Sequence, residues 1–152
     1  MKEILREIGT ISRSIATIDE KEFKALNLSK SQNLYLVRIF EYPGIIQEKL
    51  AEVLSVERST TAKSVKKLVE HGLVEKRKEE DNKKEFKLYC TEKGKEIYEI
   101  LKKDEEYLIE ITTQGLSEKE KEELLFLLIK MRKNTRTLWE KVIKKGELRE
   151  WK

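Results

Sequence analysis

The most chemically distinctive stretch of the sequence is the basic segment from Arg58 to Val69. It contains Arg58, Lys63, Lys66 and Lys67 and no acidic residue, so it carries four positive charges. The whole chain has 33 Lys and Arg residues against 29 Asp and Glu residues, a formal net charge of +4, and this one segment therefore equals the entire excess. Basic side chains concentrated on one short helix are typical of a surface that binds phosphate groups.

The sequence offers little for catalysis or metal binding. It has one histidine and one cysteine, Cys90, so a transition-metal site would consist mostly of carboxylates, which suits zinc poorly. The six glycines stand alone rather than in a phosphate-binding loop. We therefore predict that the protein is not an enzyme and has no catalytic residues, no metal and no cofactor.

Length and composition favour a mainly helical protein. A chain of 152 residues is long enough for one compact unit, or for one small domain with oligomerising arms. Charged residues make up 41% of it, but the apolar residues are periodic, which indicates helices with solvated faces rather than disorder. No apolar run approaches the roughly 20 residues that span a bilayer, and no secretory signal precedes the first helix, so we expect a cytoplasmic location.

Residues 3–25 are predicted to form the first helix. Isoleucines at positions 4, 8, 11, 15 and 18 recur at spacings of four and three, which places them in one narrow seam. So narrow a seam favours packing against another helix. It indicates either an ordinary core helix of a monomer or part of a dimer interface.

Residues 46–71 are predicted to form a helix-turn-helix. The preceding helix begins at the capping box Ser29-x-x-Gln32 and must end at Tyr42-Pro43-Gly44. Helix three is expected over about 46–54, and after the short break at 55–57 helix four is expected to continue to about His71. In this motif the second helix is offered to the major groove of DNA.

The residues at the inward positions of this segment match the helix-turn-helix pattern only in part. Leu50, Ala51, Leu54 and Val56 fall where the motif needs apolar or small contacts, but Ser55 occupies the turn position at which glycine is usual. The inward positions of helix four hold Thr61 and Ser64 instead of aliphatic residues, which leaves Val65, Leu68 and Val69 as its apolar anchors. We expect a lightly anchored recognition helix.

A β-hairpin is predicted directly after this motif. Residues 73–77 begin an extended segment, 79–84 form a polar tip, and 86–90 alternate between apolar and other residues as a strand does. A hairpin in this place is the wing of a winged helix. A charged hairpin tip can also be merely solvated.

Two further helices complete the chain. Thr91 is expected to cap the fifth helix, which ends at Gly115, and Ser117-x-x-Glu120 is a second capping box that opens the last helix. A winged helix is too small to cover three long amphipathic helices, so we expect them to pack against a second copy. The predicted dimer interface is Ile4, Ile8, Ile11, Ile15, Leu128, Met131, Leu138 and Val142.

The predicted fold class is mainly α (α+β), a winged helix-turn-helix with long N- and C-terminal dimerisation helices. The N-terminal helix is assigned to residues 1–28 and the DNA-binding lobe to 29–90, with the helix-turn-helix at about 46–71 and the wing at about 73–90. The C-terminal dimerisation helices are assigned to 91–152.

Four motifs stand out together along the chain: Leu50-Ala51-Glu52-x-Leu54-x-Val56-x-Arg58-Ser59-Thr60, then Leu68-Val69-Glu70-His71-Gly72-Leu73-Val74, then Asp81-x-Lys83, then Thr91-Glu92-Lys93-Gly94. Together they resemble the MarR family of bacterial and archaeal transcription regulators. The resemblance covers nearly the whole chain, since the family also has one helix before the motif and two long ones after it. It implies a homodimer with two winged lobes spaced for a pseudo-palindromic operator.

Carried over by position, the resemblance implies which residues contact DNA. Ser59, Thr60, Ala62, Lys63 and Lys67 would face the major groove, while the wing tip would enter the minor groove or follow its phosphates. The family usually has Asp-x-Arg in the wing. Here Asp81-x-Lys83 replaces it, and because lysine lacks the planar fork of arginine, Lys83 and Lys84 are expected to bind phosphate rather than bases.

The sequence therefore predicts a dimeric, sequence-specific regulator of transcription, a repressor that binds double-stranded DNA. The resemblance also implies control by a small ligand, often an aromatic acid, or by cysteine oxidation. Tyr35, Phe40 and Tyr107 are candidates for such a pocket, but aromatic residues on apolar helix faces more often belong to the core, and Cys90 is interpreted as a small buried residue. The alternative is a dimeric helical module that binds acidic partners, or DNA of any sequence.

Overall fold

The computed structural model describes residues 1–26, 28–79 and 82–150. The chain is mainly helical, with one small antiparallel sheet, as the sequence predicted. In chain order the elements are α1 (Glu3–Glu22), a 3₁₀ turn (Phe23–Leu26), α2 (Lys30–Glu41), β1 (Ile45–Ile46), α3 (Gln47–Leu54), α4 (Arg58–Glu70), β2 (Val74–Glu79), β3 (Asn82–Cys90), α5 (Glu92–Thr112), α6 (Glu118–Trp139) and a π-helical turn (Glu140–Lys144).

The chain divides into two compact units, Met1–Leu108 and Ile109–Lys152. The hydrophobic core lies in the first unit, where α2, α3, α4 and the sheet meet. Its buried members are Phe23, Leu28, Tyr35, Leu36, Ile39, Ile45, Leu50, Val65, Leu68, Leu73, Val74, Leu88 and Leu101. The second unit contains α6 and the π-helical turn, and no residue of α6 is buried in the isolated chain.

Local capping chemistry begins the helices where the sequence predicted. The Ser29 N–H donates to Oε1 of Gln32 at 2.9 Å, and the Ser117 N–H donates to Oε2 of Glu120 at 2.8 Å. These bonds satisfy backbone donors that a helix start would otherwise leave unpaired. Thr91 Oγ1 accepts from the Gly94 N–H at 3.0 Å, so the predicted cap of α5 is confirmed as well.

The sheet has the order β1-β3-β2, and its strand β1 was not predicted. Ile45 pairs with Leu88 and Ile46 with Lys87, so the assignment of Ile46 to a helix was wrong. Two residues are too few to show an alternating pattern. Their extended conformation depends on the edge of β3, which only the folded chain brings beside them.

The hairpin strands are longer than predicted. β2 continues to Glu79 and β3 already begins at Asn82, so most of the predicted polar tip belongs to the strands. The pairing register shifts between Arg77 and Glu79, so the ladder is irregular close to the hairpin tip. Polar residues can form backbone hydrogen bonds with a neighbouring strand as well as apolar residues can. The prediction relied on alternating apolar residues, and that alternation does not extend to the polar ends of these strands.

The first helix ends earlier than residue 25. α1 stops at Glu22, and the cap residue Phe23 donates its N–H to the carbonyl oxygen of Asp19. The chain continues as a 3₁₀ turn from Phe23, whose side chain is buried in the core. Among the described residues, no helix is long and apolar enough to cross a membrane.

Candidate nucleic-acid interface

The turn between α3 and α4 is fixed by backbone hydrogen bonds. The Ser55 N–H donates to the Glu52 carbonyl at 3.1 Å, and the Val56 N–H donates to the Ala51 carbonyl at 3.0 Å. Ser55 has φ 53° and ψ 46°, and among the described residues it is the only non-glycine with a positive φ. This position therefore requires a left-handed backbone conformation, which is why glycine is usual there. Serine adopts that conformation at some cost in conformational energy.

The inner face of α4 packs against α2 and α3 through a strict helical stripe. Thr61, Ser64, Val65 and Leu68 are all buried, so the predicted inward positions are confirmed. Val69 was expected to share this role, but its exposed fraction is 37%, and that prediction was wrong. It lies one residue, or about 100°, beyond the stripe. The hydroxyl oxygen of Thr61 is buried without a hydrogen-bond partner, and the light anchoring of this helix stays a prediction.

The outer face of α4 forms one continuous polar and basic surface, which we call the α4 surface. Ala62 is half-buried at its edge, and the other predicted DNA-facing residues are exposed: Arg58, Ser59, Thr60, Lys63, Lys66 and Lys67. A single straight helix thus presents all of the predicted α4 positions together, with hydroxyl groups and charges side by side.

Two of the four basic residues on the α4 surface are already paired within the chain. Arg58 forms an ion pair with Glu48 of α3, and Lys66 lies 3.8 Å from Glu70. No carboxylate of the described residues lies within 4.0 Å of Lys63 or Lys67. Exposed ion pairs stabilise a protein by only about 0–1 kcal/mol, so the paired cations remain exchangeable. Sequence reasoning missed Glu48, because nothing local connects positions 48 and 58.

The wing carries a second basic group, which the sequence-based prediction also missed. Lys76 and Lys78 place their ammonium groups 5.9 and 4.9 Å from the ring centre of Phe86. The Arg77 guanidinium lies 4.5 Å from the ring centre of Tyr89. The run Lys76-Arg77-Lys78 was the available signal. The aromatic rings support these cations on the strands, so positive charge does not depend on the hairpin tip alone.

The predicted wing-tip residues are only partly described. Asp81 and the side chain of Lys83 lie outside the described part of the structure, so their proposed bracing stays a prediction. Lys84 is exposed on β3. Its position is compatible with the predicted phosphate contact.

The predicted dimer residues lie on faces that remain open in the isolated chain. On α1, Ile4 and Ile11 are 41% and 53% exposed, while Ile8 and Ile15 are half-buried. On α6, Leu128 and Leu138 are 39% and 40% exposed, while Met131 and Val142 are half-buried. Apolar stripes of this kind are typical of surfaces that become covered on assembly.

Cys90 is held as a neutral thiol. It is half-buried, with Sγ 3.8 Å from the carbonyl oxygen of Leu36. Burial raises its pKa to about 11, although Lys95 acts in the opposite direction. Because the thiolate is the reactive form, this environment favours the structural interpretation of Cys90 over oxidation sensing.

The aromatic candidates for a ligand pocket do not gather around one cavity. Tyr35 is a core residue that is 2% exposed, whereas Tyr107 is 60% exposed. Phe40 stacks on Tyr98 with ring centres 3.6 Å apart. A different set of residues lines the cleft between α1, α2 and α5.

Comparisons with known proteins extend over nearly the whole chain. Residues 28–86 match the model of the MarR family. The HTH-type transcriptional regulator YybA of Bacillus subtilis is 48% identical over 151 residues, which cover 99% of this chain and 100% of that protein.

Solved structures agree. A MarR family transcriptional regulator from Listeria monocytogenes, complexed with a 26mer DNA, is 42% identical and has a TM-score of 0.94, covering 99% of this chain and 100% of that one. A SlyA-like transcription regulator from the same organism is also 42% identical, with a TM-score of 0.91 and the same coverage. The similarity therefore includes the long helices at both ends.

Proposed function

This chain belongs to the MarR family of winged helix-turn-helix transcriptional regulators, and from that premise we propose that it is a homodimeric repressor whose α4 surface reads a pseudo-palindromic operator and which a small ligand releases. Its relatives are transcriptional regulators, so the prediction that the chain is not an enzyme is confirmed. A regulator that binds chromosomal DNA would be located in the cytoplasm.

The observation that supports this function best is the composition of the α4 surface. Lys63 and Lys67 supply positive charge without a carboxylate within 4.0 Å among the described residues, while Ser59 and Thr60 expose hydroxyl groups on the same helix face. Lysine side chains gain affinity by displacing counterions from phosphates, and hydroxyl groups form hydrogen bonds with base edges. One face thus combines affinity with discrimination.

The phosphate contribution is tested by salt dependence. Fluorescence anisotropy would measure the dissociation constant for a labelled operator fragment between 50 and 200 mM salt. Lys63→Ala is expected to weaken binding to all sequences about equally. Because the dimer loses one lysine in each half-site, the slope of log K against log salt should become less steep by about 2. Lys102→Ala removes the same charge from an exposed position of α5 and should leave the slope unchanged. Equal slopes for Lys63→Ala and the unchanged protein would contradict the role of Lys63.

Sequence discrimination separates the regulator from a general polyanion-binding module. DNase footprinting across the region upstream of the protein's own gene should show a protected site with two half-sites about 34–36 Å apart. Thr60→Ala should reduce the preference for that site over random DNA by roughly 30-fold or more, because the dimer loses one base contact in each half-site and each contact typically amounts to about 1–3 kcal/mol. Equal affinity for operator, random DNA and heparin would favour the alternative module.

The homodimer is supported by the open isoleucine seam of α1. Ile11→Asp introduces a charge into this seam and should convert a dimer into monomers in light scattering coupled to size-exclusion chromatography. Ser12→Asp places the same charge on the exposed neighbouring residue, outside the seam. Dimers of Ile11→Asp as stable as those of Ser12→Asp would exclude α1 from the interface.

Release by a small ligand is supported by a cleft in the first unit. The cleft lies between α1, α2 and α5, and the seam residue Ile15 is one of the residues that line it. Its occupant would contact both α1, assigned to dimerisation, and α2, which packs against α4. A ligand that binds more tightly to one arrangement of these helices would shift the population away from the DNA-binding form.

A further inference from the structure

The cleft between α1, α2 and α5 is lined by both apolar and charged residues. It has a volume of about 190 Å³, and every residue around it belongs to the first compact unit. One part of its wall is apolar and includes Phe23, Val37 and Leu101. The other part contains the side chains of Asp19, Asn33, Arg38, Asp104 and Glu105.

The charged part of the wall is predominantly acidic. Asp19, Asp104 and Glu105 bring three carboxylates to the cleft, from two helices that are distant in sequence. Arg38 is the one basic residue among the lining residues, and its guanidinium is paired with Glu41, one turn away on α2. The lining residues of the cleft therefore include more acidic than basic side chains.

Asp104 experiences this negative environment directly. Burial raises the pKa of its carboxyl group, and the nearby charge of Glu22 raises it further. Both effects disfavour the ionised carboxylate, and the attraction of a cation in the cleft would offset them.

Asn33 provides an independent sign of a missing partner. Its side chain is only 8% exposed and lines the cleft, yet its Oδ1 atom is buried without a hydrogen-bond donor. A buried acceptor without a partner destabilises the folded chain. An N–H group bound beside Asn33 would satisfy this oxygen once the side-chain amide turns toward the cleft.

The shape of the site favours an organic cation over a metal ion. Among the described residues, no three Asp, Glu, His or Cys side chains converge closely enough to hold a metal ion. A metal ion would also make no favourable contact with the apolar residues of the wall. An ammonium group attached to a hydrocarbon body would use both parts of the wall.

We propose that this cleft binds a small organic ammonium ion, with its nitrogen near Asp19, Asp104 and Asn33 and its apolar body against Phe23, Val37 and Leu101. An aromatic acid, the ligand class implied by the family resemblance, would meet carboxylates of like charge here. The ligand class stands independently of DNA binding, and only its regulatory consequence rests on the proposed function.

Isothermal titration calorimetry with the full-length protein and no DNA tests the ligand class. The probes are 2-phenylethylamine, the neutral 2-phenylethanol and the acid 3-phenylpropanoate, which share a phenyl group and a short chain. The amine is expected to bind saturably and at least tenfold more tightly than the alcohol, and the acid should not bind measurably. Affinities for the three probes within threefold of one another would overturn the proposal.

Variants locate the site. Asp104→Asn and Asn33→Leu should each weaken amine binding about tenfold or more, whereas Glu99→Gln removes a charge from an exposed part of α5 outside the cleft and should change it less than twofold. Asp19→Asn provides a third probe if one variant proves unfolded by circular dichroism. Amine binding unaffected by substitutions at both aspartates would overturn the location.

A final titration of the amine into the operator complex separates the two proposals. Release of DNA at concentrations that saturate the cleft would support both. Saturable binding of the amine without release would support the ligand class and overturn ligand-induced release. A missing operator footprint, with amine binding intact, would refute the proposed repressor while leaving the ligand class supported.

Discussion

Thr61→Val should stabilise the protein although it removes a polar group from the recognition helix. The Thr61 side chain is 0% exposed, and its hydroxyl oxygen is buried without a hydrogen-bond partner. Valine has nearly the same shape, so the substitution leaves no cavity and replaces an unsatisfied hydroxyl with a methyl group. Threonine and valine also have similar helix propensities, so the backbone contributes little to the difference.

The expected gain follows from the cost of burying the hydroxyl. Protein substitution data place that cost at about 1–3 kcal/mol, and partial relaxation around the site reduces the recoverable part. We expect the free energy of unfolding to rise by about 1–2 kcal/mol. For a chain of this length, each kcal/mol raises the midpoint of thermal unfolding by about 2–4 °C, which predicts a total increase of roughly 2–8 °C.

Thermal unfolding followed by circular dichroism at a fixed protein concentration measures the effect, since the stability of an oligomer depends on concentration. Thr60→Val is the matched control, because Thr60 is the exposed neighbour on the same helix. Its change should stay within about 0.5 kcal/mol. A lower midpoint for Thr61→Val, or an equal rise for Thr60→Val, would refute the account of an unpaired hydroxyl in the inner face of α4.

Three further substitutions and treatments test other parts of the fold. Ser55→Gly should raise the free energy of unfolding by about 1 kcal/mol, because Ser55 holds φ 53° and glycine adopts that conformation without steric cost; an unchanged urea midpoint would contradict this. Gly94→Ala should lower it by about 2 kcal/mol or more, because a Cβ there would lie 2.1 Å from the Leu73 carbonyl oxygen; a variant with normal urea unfolding would show that α5 can shift freely. Burial raises the pKa of Cys90 from 9.0 to about 11, so at pH 8 the folded protein holds about 100-fold less thiolate than the protein unfolded in urea. Cys90 should therefore react with iodoacetamide about 100-fold more slowly in the folded protein, and similar rates would contradict its burial.

Local chemistry explains why much of the helical framework was predictable. The capping boxes at Ser29 and Ser117 act within three residues, and the break at Pro43-Gly44 acts on the backbone directly, so these helix ends needed no tertiary information. The inward direction of Thr61 and Ser64 followed from helical spacing alone. The exposure of the basic residues on α4 followed from the same spacing.

The features that were missed or misplaced depend on neighbours that are distant in sequence. β1 exists because Ile45 and Ile46 find the edge of β3, and the pairing of Arg58 with Glu48 exists because the turn at Ser55 brings α3 against the start of α4. Neither the strand nor the ion pair produces a periodic pattern in the sequence. The supporting contacts of the wing lysines with Phe86 likewise require the register of two strands.

The sequence by itself determined where most helices begin and end, which face of α4 is basic and which family the motifs resemble, because capping, helical spacing and charge act over a few residues. Only the tertiary structure decided the chemistry of the cleft. Asp19 and Asp104 lie on separate helices, and packing of α1 and α5 around α2 brings both of them, with Asn33, into the lining of one cleft. Burial and electrostatic potential depend on that packing, so no local pattern in the chain could have indicated them.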